Sequence, residues 1–347
     1  MLLAFLVSIA ICIVMMKDLF AVIMLAGIYG LLSASFFVTM DAVDVAFTEA
    51  SVGAGISTLL MLVAITMTGR HEHPVRHKPA LALIVVIITG GLLIYGTMDT
   101  PYFGTADAPV HQHVAPRYLN DSMQEVGVPN IVTAVLASYR GFDTFGEVVV
   151  IFTAGMGVIA LLSITRRNDK IVPAAVKAES TKEIVDSKTG KQIPAIDKLN
   201  IAMHEKHLIL RIVSKILLPF IMLFALYVQF HGDYGPGGGF QAGVIFAAAI
   251  ILYTLLFGIN AARRVINQSF IRVLAAIGVL LYGCVGVVSM LNGHNFLDYD
   301  ALSSDPIAGQ HLGILLVELG VGITVASVMI IIFFNFSIRR DSNPPGQ

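Results

Sequence analysis

Apolar residues in this chain form long unbroken runs, separated by short clusters of polar and charged residues, and neither a strand-like nor a surface-helix period dominates. A bilayer core about 30 Å thick is crossed by a helix of about 20 such residues. The runs predict spans at Leu2–Met16, Leu19–Met40, Val45–Thr68, Ala80–Met98, Gly146–Ile164, Leu208–Phe230, Phe240–Gly258, Phe270–Leu291 and Gln310–Phe336. The expected fold is an all-α integral membrane protein with about nine transmembrane helices. The first run is short, but it lacks the basic leading region of a signal peptide. It is followed at Lys17 and Asp18 by another apolar run, so it reads as a helix that stays.

The polar segments organise the spans. Lys17, Arg70, Arg76, Lys78, the Arg166–Lys206 stretch, Arg263, Arg264, Arg339 and Arg340 fall in one set of loops; the alternate set holds only Arg117 and Arg140. Basic loops stay in the cytoplasm, which puts the N-terminus outside and the C-terminus inside. Residues 165–207 are polar, mixed in charge and poor in aromatics, and are expected to be a cytoplasmic linker. They join a five-helix module (1–164) to a four-helix module (208–347). Within the long outer loop, Pro129 and Asn130 precede a short amphipathic pattern expected to form a helix lying at the outer interface.

Composition narrows the function classes. The chain has 347 residues, 56% hydrophobic and 13% charged, with mean hydropathy +0.81, too few charges to cover a soluble protein of this size. The net charge of −1 gives no reason to expect nucleic acid. Cys12 and Cys284 stand alone in apolar runs, so no ligand set exists for an iron–sulfur cluster or structural zinc. No phosphate-binding loop occurs. No cofactor and no enzymatic chemistry are expected; transport would be driven by another gradient or by a partner.

Ionisable groups within the apolar runs are the candidate chemistry, because charge in hydrocarbon is costly. Glu49 lies eight residues beyond Asp41, roughly 12 Å down a helix at 1.5 Å per residue. Its neighbours Ser51, Gly53, Ala54, Gly55 and Ser57 are small enough to admit another helix. It reads as a protonatable or sodium-binding carboxylate; the bland alternative is a Glu bonded to a neighbouring helix. Glu318 follows His311 by seven residues, nearly two helical turns, so a proton relay and a packing role are both open. Near outer helix starts, Glu147 is either an ion-path residue or a charge favoured by the helix dipole, and Asp41 and Asp44 either gather cations at the mouth or form a solvated rim. Arg211 snorkels to an interface; Lys215 lies deeper, beside a carbonyl freed by Pro219, and both ion passage and a structural role are open to it.

The segment Gln229–Gln241, QFHGDYGPGGGFQ, has five glycines between two apolar spans. Such backbone exposes carbonyls suited to hard cations, and His231 and Asp233 add titratable groups. With Leu217–Ile221 (LLPFI) and Ala242–Val244, this string resembles the hallmark of the B-subunit family of Mrp-type sodium/proton antiporters, over roughly 208–336. Segments Asp41–Gly55, Val132–Glu147 and Ile151–Gly155 are similar to the membrane segment that ends the large A-type protein of such antiporters. Related blocks occur in membrane-bound hydrogenases and, more distantly, in the J-type protein of respiratory complex I. The resemblance implies a subunit of a heteromeric complex in a bacterial cytoplasmic membrane, exporting Na+ in exchange for H+. Its partners would be large antiporter-like subunits, small membrane subunits and lipid. It further implies that Glu49 matches a carboxylate important for ion passage and that His231 and Asp233 lie near the sodium route. The expected mechanism has Glu49 exchanging H+ and Na+ in a seam between the two modules, with Glu49 and Asp233 as transient Na+ ligands. An assembly scaffold, or the membrane arm of an ion-pumping redox complex, are the alternatives.

Overall fold

The computed structural model describes residues 1–72, 79–102, 104–169, 183–185, 192–194 and 208–342. Most of the expected linker lies outside these residues; within it are the end of a helix reaching Asp169 and a short antiparallel pair, Glu183–Val185 with Gln192–Pro194.

The front module contains α1 (Leu2–Met15), α2 (Leu19–Thr39), α3 (Val43–Thr68), α4 (Pro79–Thr97), a short α5 (131–139) and α6 (Gly141–Asp169). The back module contains α7 (Leu208–His231), α8 (Gly239–Phe257), a short α9 (Ile259–Val265), α10 (Gln268–Leu291) and α11 (Pro306–Ser342). Among the described residues, eight helices are long and apolar enough to cross a membrane, and α1 is a shorter apolar helix. Helices are the form these runs take because each satisfies its backbone hydrogen bonds within itself, which lipid cannot do.

Polar residues fix where helices start. The Asp18 carboxylate accepts from Phe20 N, Asn130 Oδ1 from Val132 N, and Asn267 Oδ1 from Ser269 N. Asp18 also pairs with Arg70 at 2.8 Å, tying the start of α2 to the end of α3. That guanidinium holds the Asp18 carboxyl well below the usual range, at about 2.

α11 is the hub: α6, α8 and α10 all pack on it, and α3 reaches it from the front module. Close approach depends on small residues. A Cβ at Gly243 would sit 2.7 Å from Gly322 O, and one at Gly278 would sit 2.6 Å from Gly320 O and overlap Thr324 Oγ1. Tyr282, Tyr299, Phe333 and Phe334 are the largest fully buried side chains around this hub. α4, by contrast, packs substantially on no other described element, and nothing along its apolar window is buried.

Two details differ from the sequence expectation. Residues Ala50–Ser57 within α3, and Ala134–Tyr139 within α5, are π-helical, a looser winding that no residue pattern announced. Nor does α5 merely lie on a surface: Thr133, Ala134 and Ala137 are buried against the rest of the protein.

Replacing Gly278 with Val forces α10 away from α11. Overpacking of this kind costs about 1–3 kcal/mol. The expected result is a lower unfolding midpoint in detergent than wild type; an unchanged midpoint would contradict the close contact.

Candidate functional site

The glycine-rich segment is built as a lid over one carboxylate. α7 ends at His231, and the chain turns back so that Gly238 N donates to Val228 O at 3.0 Å, while Tyr234 N and Gly235 N donate to His231 O. Gly238 has φ +111, open to glycine, and the next residue starts α8. Beneath this turn lies Glu318 of α11. A Cβ at Gly238 would sit 3.0 Å from Glu318 Oε1, one at Gly232 3.1 Å from Oε2, and one at Gly239 would overlap the Glu318 carbonyl. At Gly232 and Gly238 the carboxylate occupies the space a side chain would need; Gly239 is held close by the Glu318 backbone, Gly235 by His231 and Gly237 by Val228 O.

The front module clamps this turn. Asn130 Nδ2 donates to Gly232 O at 3.0 Å and Gly235 O at 3.1 Å, and lies 3.5 Å from Asp44 Oδ1. Asn130 N donates to Asp233 O, and Thr133 Oγ1 donates to Gly232 O at 2.7 Å. Further in, Gln241 Nε2 donates to Thr48 Oγ1 at 2.7 Å, and the buried Tyr282 hydroxyl donates to Gly141 O at 2.7 Å.

Between the modules is a cavity of about 320 Å³ whose lining includes Asp44, Thr48, Thr144, Glu147, Gln241 and Tyr282, with Glu318 at its wall. That volume has room for several waters. Asp233 and Asp44 are the charged neighbours of Glu318, and no basic side chain among the described residues forms an ion pair with it. His311 Nδ1 lies 3.5 Å from Asp233 Oδ2. The structure therefore brings together Asp44, Glu147 and Glu318 at one cavity, with Asp233 and His311 beside it. No group of three or more His, Cys, Asp or Glu among the described residues is arranged to hold a fixed metal.

Other expected site residues stand apart. Glu49 does not line the cavity between the modules; its carboxylate folds back along α3 to Gly53, and a Cβ at Gly30 of α2 would lie 3.2 Å from its Oε1. The small residues around Glu49 admit α2 of its own module, whereas Thr48, one position earlier, faces α8. His231 stacks on Tyr227, with centroids 4.9 Å apart, and does not line the cavity. Asp41, at φ +57, is an exposed turn residue. Lys215 reaches over the Phe257 ring at 5.3 Å, as Arg211 does at 4.9 Å, at the opposite helix ends from the lid. Residues that sequence reasoning missed are Thr48, Gln241, Tyr282 and the lid-clamping role of Asn130; only Asn130 carried a signal, as a helix start after Pro129.

Outside the spans, the Tyr139 hydroxyl donates to the Glu125 carboxylate, which Arg117 also pairs at 3.2 Å. Burial and that carboxylate push the Tyr139 hydroxyl up to about 12.

Comparison with known proteins agrees with this architecture. Residues 209–331 match the family described as a domain related to the MnhB subunit of Na+/H+ antiporter. The putative antiporter subunit mnhB2 of Staphylococcus aureus (strain Newman) is 35% identical over 141 residues, spanning 40% of this chain and 99% of that protein. The chain belongs to the MnhB family. Its front module extends beyond that family's match: residues 4–70 match MbhD and residues 81–179 match MbhE, two families described as subunits of MBH. A probable K(+)/H(+) antiporter protein of Rhizobium meliloti (strain 1021), an A/B-type subunit, is 27% identical over 328 residues, 90% of this chain. The chain spans 31% of the length of that relative. A solved Mrp complex from Dietzia sp. DQ12-45-1b shares the fold, with TM-score 0.70 and 24% identity, over 97% of this chain and 34% of that one.

Asn130 and Thr133 hold the glycine-rich turn to the front module, and Asn130 makes two of the side-chain bonds. Replacing it with Ala removes two donated bonds to the turn, each worth about 0.5–1.5 kcal/mol. Amide exchange at Tyr234–Gly238 should then quicken by about tenfold to a hundredfold, read by mass spectrometry. Unchanged exchange would mean the clamp lies elsewhere.

Proposed function

We propose that the chain is a membrane component of a multisubunit antiporter that exports a monovalent cation, Na+ in the first instance, in exchange for H+, and that its own residues form part of the ion route. The observation that carries this is Glu318: a carboxylate within a spanning helix, roofed by glycines, facing a cavity shared with Asp44 and Glu147, and unpaired by any described cation. A packing carboxylate in lipid is expected to be paired. An unpaired one beside a cavity that also carries Asp44 and Glu147 exchanges one positive charge for another, a proton for an alkali cation, with no covalent chemistry. Asp233 and His311, whose Nδ1 and Oδ2 lie 3.5 Å apart, form the mouth. Asp44 and Glu147 add negative charge that draws cations inward.

Membership of the MnhB family supports the antiporter reading, as do the names of the relatives that span most of the chain or match it over most of their own length. The reading includes two modules joined through 165–207, the lid at the outer face, the N-terminus outside and a bacterial cytoplasmic membrane. Other antiporter subunits are its partners. The fully exposed apolar face of α4 suits a neighbouring protein of the complex or lipid. A second reading, the membrane arm of a redox complex, rests on the matches of 4–70 to MbhD and of 81–179 to MbhE. It assigns the same cavity to ion passage but a different source of energy.

The test is antiport in everted membrane vesicles, with Na+ and K+ measured separately. Glu318→Gln should lower exchange at least tenfold while the complex assembles normally, and Glu49→Gln should have the smaller effect. Full exchange with Glu318→Gln would leave the chain a scaffold. Ion movement that requires an added electron donor would favour the redox arm.

A further inference from the structure

Gln241 is the third residue of α8, is 7% exposed, and lines the same cavity as Glu318. One hydroxyl settles which way its amide faces. Thr48 Oγ1 gives its single proton to Asp44 O at 3.0 Å, so toward Gln241, 2.7 Å away, it can only accept. Gln241 Nε2 therefore points at Thr48, and Oε1 is turned away from it.

That Oε1 accepts from no donor among the described residues, where Gln241 makes its one side-chain hydrogen bond through Nε2. The buried side-chain atoms sealed off without a partner are Gln229 Nε2, Arg263 Nε and Ser327 Oγ, and Gln241 Oε1 is not one of them. It is an acceptor left open to the cavity, in a side chain otherwise nine-tenths buried, and native proteins seldom leave such an oxygen without a use. Its direction follows from Gly238. A Cβ there would sit 3.0 Å from Glu318 Oε1 and 3.8 Å from Gln241 Oε1. The two oxygens converge on one point of the lid and are no farther apart than those two distances laid end to end. An alkali cation on the carboxylate, with one water of its shell, covers that span.

We propose that Gln241 Oε1 is the uncharged half of a cation site whose charged half is the Glu318 carboxylate. This rests on the reading of Glu318 as an ion-exchanging group. Hard cations take oxygen ligands, carboxylate and amide carbonyl alike. With Glu318 ionised, Oε1 faces the bound cation or a water in its shell; with Glu318 protonated, it faces the carboxylic acid as an acceptor. An amide does not titrate, so proton and cation compete at Glu318 alone.

The test labels Glu318 in the purified complex with a hydrophobic carbodiimide, which adds to a protonated carboxyl, and reads the modified peptide by mass spectrometry. Na+ and K+, added separately, compete with the proton and so protect Glu318. In the Gln241→Met complex, half-protection should need about tenfold more cation than in wild type, the effect of losing one oxygen that faces a charge. Thr48→Val removes the tie between the helices but leaves the Gln241 oxygen, and should shift half-protection less. A role confined to tying α3 to α8 would shift both variants alike or neither, and either result overturns the proposal. Gln241→Leu takes the place of the Met variant if that one does not accumulate. If neither cation protects Glu318 in wild type, the functional reading fails first; equal protection in wild type and Gln241→Met defeats this inference alone.

Discussion

Taking a carboxylate out of water costs several kcal/mol even after the protein relaxes around it. At Glu318 no basic side chain among the described residues offsets that cost, which leaves it to a proton or a mobile cation. The Gly232–Gly239 turn brings backbone close around the carboxylate, and a largely apolar cavity that carries Asp44, Thr48, Glu147 and Gln241 opens beside it. Side chains of ordinary size at Gly238 or Gly239 would push the turn off α11. Gly232 and Gly238 make room for the carboxylate, while Gly239 and Gly243 set how near α8 comes to α11.

The same constraint explains why the two modules are tied together at this point. A glycine turn is costly to order, because glycine loses the most conformational freedom. The front module offsets that cost through Asn130 and Thr133, whose bonds end on Gly232 and Gly235. Thr48 to Gln241 and Tyr282 to Gly141 repeat the tie further in. The cavity exists only where the modules meet, so neither half alone contains it.

Much of the architecture was legible from residues. Long apolar runs fixed the spans because lipid admits few alternatives, and the glycine string marked the site because nothing ordinary needs that density of glycine. The carboxylates were visible as charges in oil, but their directions were not. Glu49 and Thr48 are adjacent and point to different helices, and the π-helical winding that begins at Ala50 shifts the register in a way that a 3.6-residue period does not describe. For Glu318 the seven-residue spacing from His311 gave the right face, yet not the lid above it or Asp233 between them. Tyr282 and Gln229 look in sequence like ordinary members of apolar helices; only packing shows that one borders the cavity and the other brings a donor into the core.

The central claim is that Glu318 stays free of a fixed positive partner and open to water in the working assembly. The most direct measurement is a density map of the assembled complex with ordered waters resolved around that residue. The account predicts waters linking Glu318 to Asp233 and His311, with no lysine or arginine from any protein of the complex within about 4 Å of its carboxylate, the reach of an ion pair. A guanidinium or ammonium seated in a dry pocket against Glu318 would contradict it.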